Sequence, residues 1–294
     1  MMALTRPALA PQGQMIPGPL GTQLYVERAG DPEQPTLLFT HGGLQSSRSF
    51  RKQVPALSRS FQVITWDLPY HGLSGPGEEP VGTAPLSPLF WAEALRAVIE
   101  SYDLQRRGFV HIAWSFGGMV TRNYLLRYGP QGVLGQVLVG SHLDLTGKWQ
   151  HALSRPVQDL MMRLFEEDLA ALLRFQECLV ARRAAPEEYY ETLGYNVLAW
   201  MRLRRFGSRL LQAQLPGDMA ALVECLPFPV LVLYGEHDVF MPPALAHQLA
   251  ADIPGAHLLC YERCGHSPFL EEPHRFNNDI TTFAERAQPR EMAI

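Results

Sequence analysis

A chain of 294 residues, 47% hydrophobic and 18% charged, is long enough to bury a substantial core, and α/β folds of this length commonly form one domain. Its formal net charge of −4 offers no basic footprint for nucleic acid, and it has no apolar run of about 18 residues to cross a membrane. Four cysteines (Cys178, Cys225, Cys260 and Cys264) are too few for a disulfide scaffold in a chain this long, so reduced thiols in a cytoplasmic protein are expected.

Residues 1–20 are broken by prolines, lack the apolar stretch of a signal peptide and read as an irregular lead-in. Short runs rich in Val, Ile, Leu and aromatics follow at 23–28, 36–40, 62–66, 109–113, 136–140, 230–234 and 257–261. Several are nearly continuous in apolar residues, as in strands of a parallel sheet covered on both faces. Helical periodicity lies between them at 87–101, 117–128 and 243–251, and again at 273–286. Alternating strands and helices predict an α/β layer architecture. The interval between 140 and 230 is far longer than one crossover helix requires. Within it Leu160, Met161, Leu164, Phe165, Leu169, Leu172, Leu173 and Phe175 recur at helical steps, and a second pattern covers 188–203. The expected division is therefore a core of 21–141 and 227–288, interrupted by a helical cap at 142–226.

The central chemical motif is Phe109-Val-His-Ile-Ala-Trp-Ser-Phe-Gly-Gly-Met-Val, a buried-strand pattern running into Ser115 and then a helix. A serine hydroxyl is a weak nucleophile unless activated. A sharp strand-to-helix turn lifts its oxygen above the sheet and aims a helix N-terminus at developing negative charge. Such a turn needs small neighbours, and Ala113, Gly117 and Gly118 supply them. The alternative is a buried serine in an ordinary strand-to-helix turn.

On these residues the chain resembles the α/β-hydrolase superfamily, whose elbow is Gly-x-Ser-x-Gly; Ala113 replaces the first glycine. The resemblance implies an α/β-hydrolase fold with a mostly parallel eight-stranded sheet flanked by helices. Leu38-Phe-Thr-His-Gly-Gly-Leu matches the family's His-Gly loop, implying oxyanion-hole amides at Gly43, or alternatively Leu44, and at Phe116. His41 reads as structural. Trp66-Asp-Leu-Pro-Tyr-His-Gly-Leu-Ser is similar to the family's turn after the next strand, in which Asp67, His71 and Ser74 hold the loop. Asp238, after the 230–234 strand, and His266, after the 257–261 strand, stand where the family carries its acid and histidine, in the order Ser, Asp, His. Glu236 and Asp144 are the rival acids.

The resemblance implies that His266 accepts the Ser115 proton while Asp238 orients the ring. Aspartate nucleophiles, as in dehalogenases and epoxide hydrolases of this fold, are excluded because position 115 is Ser. The expected activity is hydrolysis of a carboxylic ester, or a related lactone or thioester, through an acyl-enzyme that needs no cofactor. Cys260, Cys264 and His266 do not make a metal site, since zinc would need a fourth ligand and would occupy the proposed base. His111, His151, His247 and His274 read as surface or cap residues, and Glu271 and Glu272 as helix N-terminal charges.

Trp114, Leu44, Met161, Phe165, Phe240 and Met241 are candidate substrate contacts, which would favour a small-molecule ester with an apolar acyl or aryl portion. A second resemblance, to bacterial 3-hydroxyacyl acyltransferases of the same fold, rests on Val26-Glu-Arg-Ala-Gly-Asp-Pro, Ser49-Phe, Asp67-Leu-Pro and Trp114 beside Ser-x-Gly-Gly. Those relatives commonly lack the His-Gly-Gly loop. Basic charge is carried by 23 arginines against two lysines, and the cluster Arg202, Arg204, Arg205 and Arg209 would suit an acidic acyl carrier. A ligand receptor on a hydrolase fold is the remaining alternative.

Overall fold

The computed structural model describes residues 11–75, 89–143, 153–166, 168–181, 186–203 and 219–288. Eight strands form one sheet: β1 (Gln12–Pro17), β2 (Gln23–Ala29), β3 (Thr36–Thr40), β4 (Gln62–Trp66), β5 (Phe109–Trp114), β6 (Val133–Val139), β7 (Val230–Gly235) and β8 (His257–Tyr261). Their order is β1-β2-β4-β3-β5-β6-β7-β8. The β1–β2 and β2–β4 pairs are antiparallel and every other pair is parallel. Strands β3, β4, β5 and β7 are buried along their whole length, which is why their sequences are apolar without alternation.

The expectation of an irregular lead-in over 1–20 is corrected by β1. Only Ile16 of that strand is buried, so its sequence lacks the apolar pattern of a strand; pairing with β2 holds it at the sheet edge.

Among the described residues the helices longer than one turn are α1 (Leu89–Ser101), α2 (Phe116–Tyr128), α3 (Arg155–Phe165), α4 (Leu169–Glu177), α5 (Pro186–Leu203), α6 (Met219–Glu224), α7 (Pro243–Asp252) and α8 (Pro273–Ala287). The amphipathic pattern through Leu160–Phe175 is divided into α3 and α4. Asp168 caps the second helix, accepting from Ala170 N and Ala171 N at 2.8 and 3.3 Å. Helices α3 to α6 lie in the interval between β6 and β7, and the Trp200 indole of α5 donates to Leu164 O of α3 at 2.8 Å. Among the described residues no helix is long and apolar enough to cross a membrane.

His111 is not at the surface. It lies within β5, between Thr40 Oγ1 at 2.8 Å and Gln136 Oε1 at 3.1 Å, and burial lowers its pKa to about 4. His247 and His274 are exposed, and His151 lies outside the described residues.

Candidate active site

Strand β5 delivers Ser115 into a backbone conformation of φ 53° and ψ −120°, followed at once by α2. Positive φ is costly for a residue with a Cβ, so the surroundings must hold it. They do so from three sides: Ser115 N donates to Val139 O (3.0 Å), and Ser115 O accepts from Gly118 N (3.0 Å) and from Ser141 Oγ (2.5 Å). The glycines after the serine are required by space. A Cβ on Gly117 would stand 2.7 Å from Thr40 O, and one on Gly118 would overlap Ser141 Oγ.

At the ends of the next two strands, Asp238 and His266 meet. Asp238 Oδ2 accepts from His266 Nδ1 at 2.8 Å, and Oδ1 accepts from the amides of Phe240 (2.8 Å) and Met241 (2.9 Å). Both side chains are buried, with 3% of Asp238 and 2% of His266 exposed. A carboxylate on Nδ1 selects the tautomer protonated there and leaves Nε2 as the acceptor. Glu236 is exposed beside this loop, and Asp144 lies outside the described residues.

Gly140 joins these pieces. It follows Val139, the acceptor of the Ser115 amide, at φ 48°. A Cβ on it would lie 2.9 Å from Asp238 Oδ2 and 3.0 Å from His266 Nδ1. Sequence reasoning passed over Gly140, although a glycine closing a strand was the available signal. Trp114 is also more than a flank. It is buried beneath the His266 loop, its indole donates to His266 O at 2.8 Å, and its ring packs on Phe269 with centroids 4.8 Å apart.

The loop after β3 comes up against the serine, since a Cβ on Gly42 would lie 3.0 Å from Ser115 Cβ and one on Gly43 3.6 Å from Phe116 Cβ. Among the described residues the amides of Gly43 and Phe116 meet no acceptor. The alternative amide, Leu44 N, is occupied: it donates to His71 Nε2 at 3.0 Å. His41 answers from the other side by accepting from Leu68 N at 2.9 Å, and its Nδ1 donates to Gly42 O. Burial lowers the pKa of His41 to about 4 and of His71 to about 3, so both are neutral acceptors at physiological pH. Asp67 closes the turn, accepting from Ser47 N (2.6 Å) and Leu73 N (2.7 Å), while burial pushes its carboxyl up against the pull of those amides.

Of the candidate substrate contacts, Phe240 is buried with its ring 5.0 Å from that of His266, and Met241 is buried beside it. Phe175 of α4 packs on Phe240 at 5.3 Å, which sets the interval's helices over the Asp238 loop. Met161 is half-buried, Leu44 is buried, and the Phe165 side chain lies outside the described residues. Glu271 does more than charge a helix end. Its oxygens accept from Gly265 N (2.7 Å) and Ala181 N (2.8 Å), tying the segment after α4 to the residue before His266. Nothing in the sequence pattern marked that bridge. Among the described residues no group of three or more His, Cys, Asp or Glu could hold a metal, and the four cysteines are free.

A mostly parallel eight-stranded sheet carrying a strained serine and a buried Asp–His pair at its strand ends defines a hydrolase of the α/β class. A family profile for the alpha/beta hydrolase fold matches residues 35–273, and the chain belongs to that family, as an enzyme of the esterase type. It is 28% identical over 272 residues to a pimeloyl-[acyl-carrier protein] methyl ester esterase of Nitrosomonas europaea, covering 86% of this chain and 96% of the relative. It is 27% identical over 272 residues to a 2-hydroxy-6-oxononadienedioate/2-hydroxy-6-oxononatrienedioate hydrolase of Cupriavidus pinatubonensis, covering 84% and 86% of the two chains. Among solved structures, a putative aryl esterase from Burkholderia cenocepacia superposes with a TM-score of 0.80 at 29% identity, covering 94% of this chain and 99% of that one.

Proposed function

We propose that the protein is a serine esterase that cleaves a small carboxylic ester with an apolar acyl or aryl portion through a covalent acyl-enzyme. The observation that carries the reading is the buried 2.8 Å hydrogen bond from His266 Nδ1 to Asp238 Oδ2, packed on Gly140 beside the strained Ser115 turn. Ser115 Oγ attacks the ester carbonyl and its proton passes to His266 Nε2, while Asp238 stabilises the imidazolium. The carbonyl oxygen becomes an oxyanion held by the amides of Gly43 and Phe116, the second of which opens α2 and adds the dipole of that helix. His266 then protonates the departing alcohol. Water deprotonated by the same histidine releases the acid. Helices α3 to α6 act as a cap over this centre, with Phe175 against Phe240 as their contact on the acid loop.

Similarity to pimeloyl-[acyl-carrier protein] methyl ester esterases raises an acyl carrier as the alternative bearer of the acyl group. Among the described residues the charge pattern favours a free ester. Arg155 pairs with Asp159 (3.5 Å), Arg163 with Asp168 (2.5 Å) and Arg174 with Glu177 (2.8 Å), so each of these cap cations is already matched by a local carboxylate. Arg202 points inward, donating to Gly72 O and Ser74 O at 3.1 Å each. Arg204, Arg205 and Arg209 lie outside the described residues.

A chain-length series of p-nitrophenyl esters tests the proposal. The wild type is expected to show a burst equal to enzyme concentration followed by turnover, and Ser115→Ala to lose on the order of 10⁴-fold or more in kcat. Absence of turnover across the series, or equal activity in the alanine variant, refutes it. Partitioning of product toward an added thiol acceptor would replace hydrolysis by acyl transfer.

A further inference from the structure

Leu44 stands at φ 60°, in left-handed backbone rare for a branched side chain, and is only 4% exposed. Both of its peptide groups are held by side chains that take no part in the proposed chemistry. Its N–H donates to His71 Nε2 at 3.0 Å. With the Asn196 carboxamide turned so that Nδ2 faces Leu44, the Leu44 carbonyl accepts from it at 2.6 Å; the same Nδ2 donates to Thr192 O at 3.1 Å, and Oδ1 accepts from Gln45 Nε2 at 3.0 Å and meets the Gln176 carboxamide, which must turn its own NH2 toward it. Asn196 and His71 are 0% and 1% exposed. They come from different parts of the chain: His71 from the turn after β4, Asn196 from α5 in the interval between β6 and β7. Arg202, further along α5, joins the two by donating to Gly72 O and Ser74 O, one and three residues after His71 in that turn. The helix and the turn therefore grip the residue that follows Gly43 from both sides.

The grip matters because of what precedes it. Gly42 and Gly43 form a pair with little intrinsic backbone preference, so an amide donor at Gly43 has no fixed direction of its own. An oxyanion hole lowers a barrier only if its donors point correctly before charge appears. Fixing Leu44 N–H fixes the peptide plane on the C-terminal side of Gly43, and the Gln45 N to Gly42 O hydrogen bond (3.3 Å) closes the turn around it.

We infer that Asn196 and His71 are positioning residues for the oxyanion hole, clamping Leu44 so that helix α5 sets the direction of the Gly43 amide. The inference rests on the proposed assignment of Gly43 as an oxyanion donor. It couples the cap to the chemical step: a shift of α5 reaches the oxyanion donor through one side chain, with no substrate contact in between.

The test uses the full chain, a p-nitrophenyl butyrate assay and an aryl trifluoromethyl ketone. Ser115 Oγ adds to the ketone carbon, its proton moves to His266, and the former carbonyl oxygen becomes an oxyanion in the hole. Asn196→Ala and His71→Leu are expected to lower kcat by on the order of 10- to 10²-fold, with KM changed by less than about twofold, and to weaken ketone inhibition by a similar factor. His71→Gln, which keeps an acceptor near the position of Nε2, is expected to recover most of both. A merely structural role would lower the melting temperature and leave kcat and inhibition unchanged, and that result overturns the inference. Should the two buried variants fail to fold at the assay temperature, Arg202→Met decides by the same two readouts, because it frees the same helix from the turn at a half-buried position. A wild type that the ketone does not inhibit refutes the Gly43 assignment itself.

Discussion

Replacing Asp238 by Asn removes one proton acceptor and changes almost nothing in shape. Asp238 Oδ1 accepts two backbone amides, from Phe240 and Met241, and Oδ2 accepts from His266 Nδ1, all within 2.9 Å. An asparagine in the same rotamer has one oxygen and one NH2 group to distribute over these positions. The side with two amides takes the oxygen, since the opposite orientation would set the NH2 against two buried N–H donors. The NH2 then faces His266 Nδ1, and a donor there selects the imidazole tautomer protonated on Nε2. That nitrogen no longer accepts the Ser115 proton. The serine-protease precedent for this tautomer exchange is about 10⁴-fold in kcat, which corresponds to about 5 kcal/mol of barrier. Both amides of the acid loop remain bonded, so the melting temperature should fall little, with a stability loss of about 1 kcal/mol for one altered hydrogen bond. Pre-steady-state and steady-state kinetics with a p-nitrophenyl ester, alongside a thermal melt, measure both effects. A variant that stays folded and retains activity within about tenfold of wild type refutes the assignment of Asp238 and moves the acid to Asp144.

Gly140→Ala places a Cβ against the Asp238–His266 pair and forces alanine into left-handed backbone. It should lower kcat by on the order of 10²-fold through displacement of the pair and reduce stability by about 1–2 kcal/mol; unchanged kinetics would show that the pair yields without cost. Stability should also fall in mild acid. His41, His71 and His111 have folded pKa values of about 4, 3 and 4, below the 6.5 of the unfolded chain. As pH drops below about 6.5 the unfolded chain takes up protons that these three folded sites refuse, so the folded state loses on the order of 1 kcal/mol per pH unit for each down to about pH 4. Urea midpoints compared at about pH 7.5 and about pH 5 measure this, and equal values would refute the picture of three neutral buried imidazoles.

Much of the fold is written in local pattern. Strands β3, β4, β5 and β7 are apolar because both of their faces are covered, and the serine motif sits where a buried strand turns into a helix. The candidate acid and histidine were legible because each follows a strand, β7 and β8, in the chain order of the family. β1 escaped because an edge strand with one buried residue owes its form to hydrogen bonds with β2, not to its own side chains. The break between α3 and α4 was hidden because one amphipathic periodicity runs through both, and only the Asp168 cap interrupts it.

What the sequence supplied by itself was the set of candidates for the proposed chemistry: a serine, an acid, a histidine and a glycine loop, since those residue types at strand ends are local requirements. The tertiary structure alone decided how they are held. Gly140 against the Asp238–His266 pair, the Trp114 indole on the His266 carbonyl, Glu271 bridging Gly265 and Ala181, and Leu44 gripped between His71 and Asn196 join residues up to 152 positions apart. Packing brings such partners together only once the sheet has formed, and no periodicity along the chain records that a buried polar group has found its partner across it.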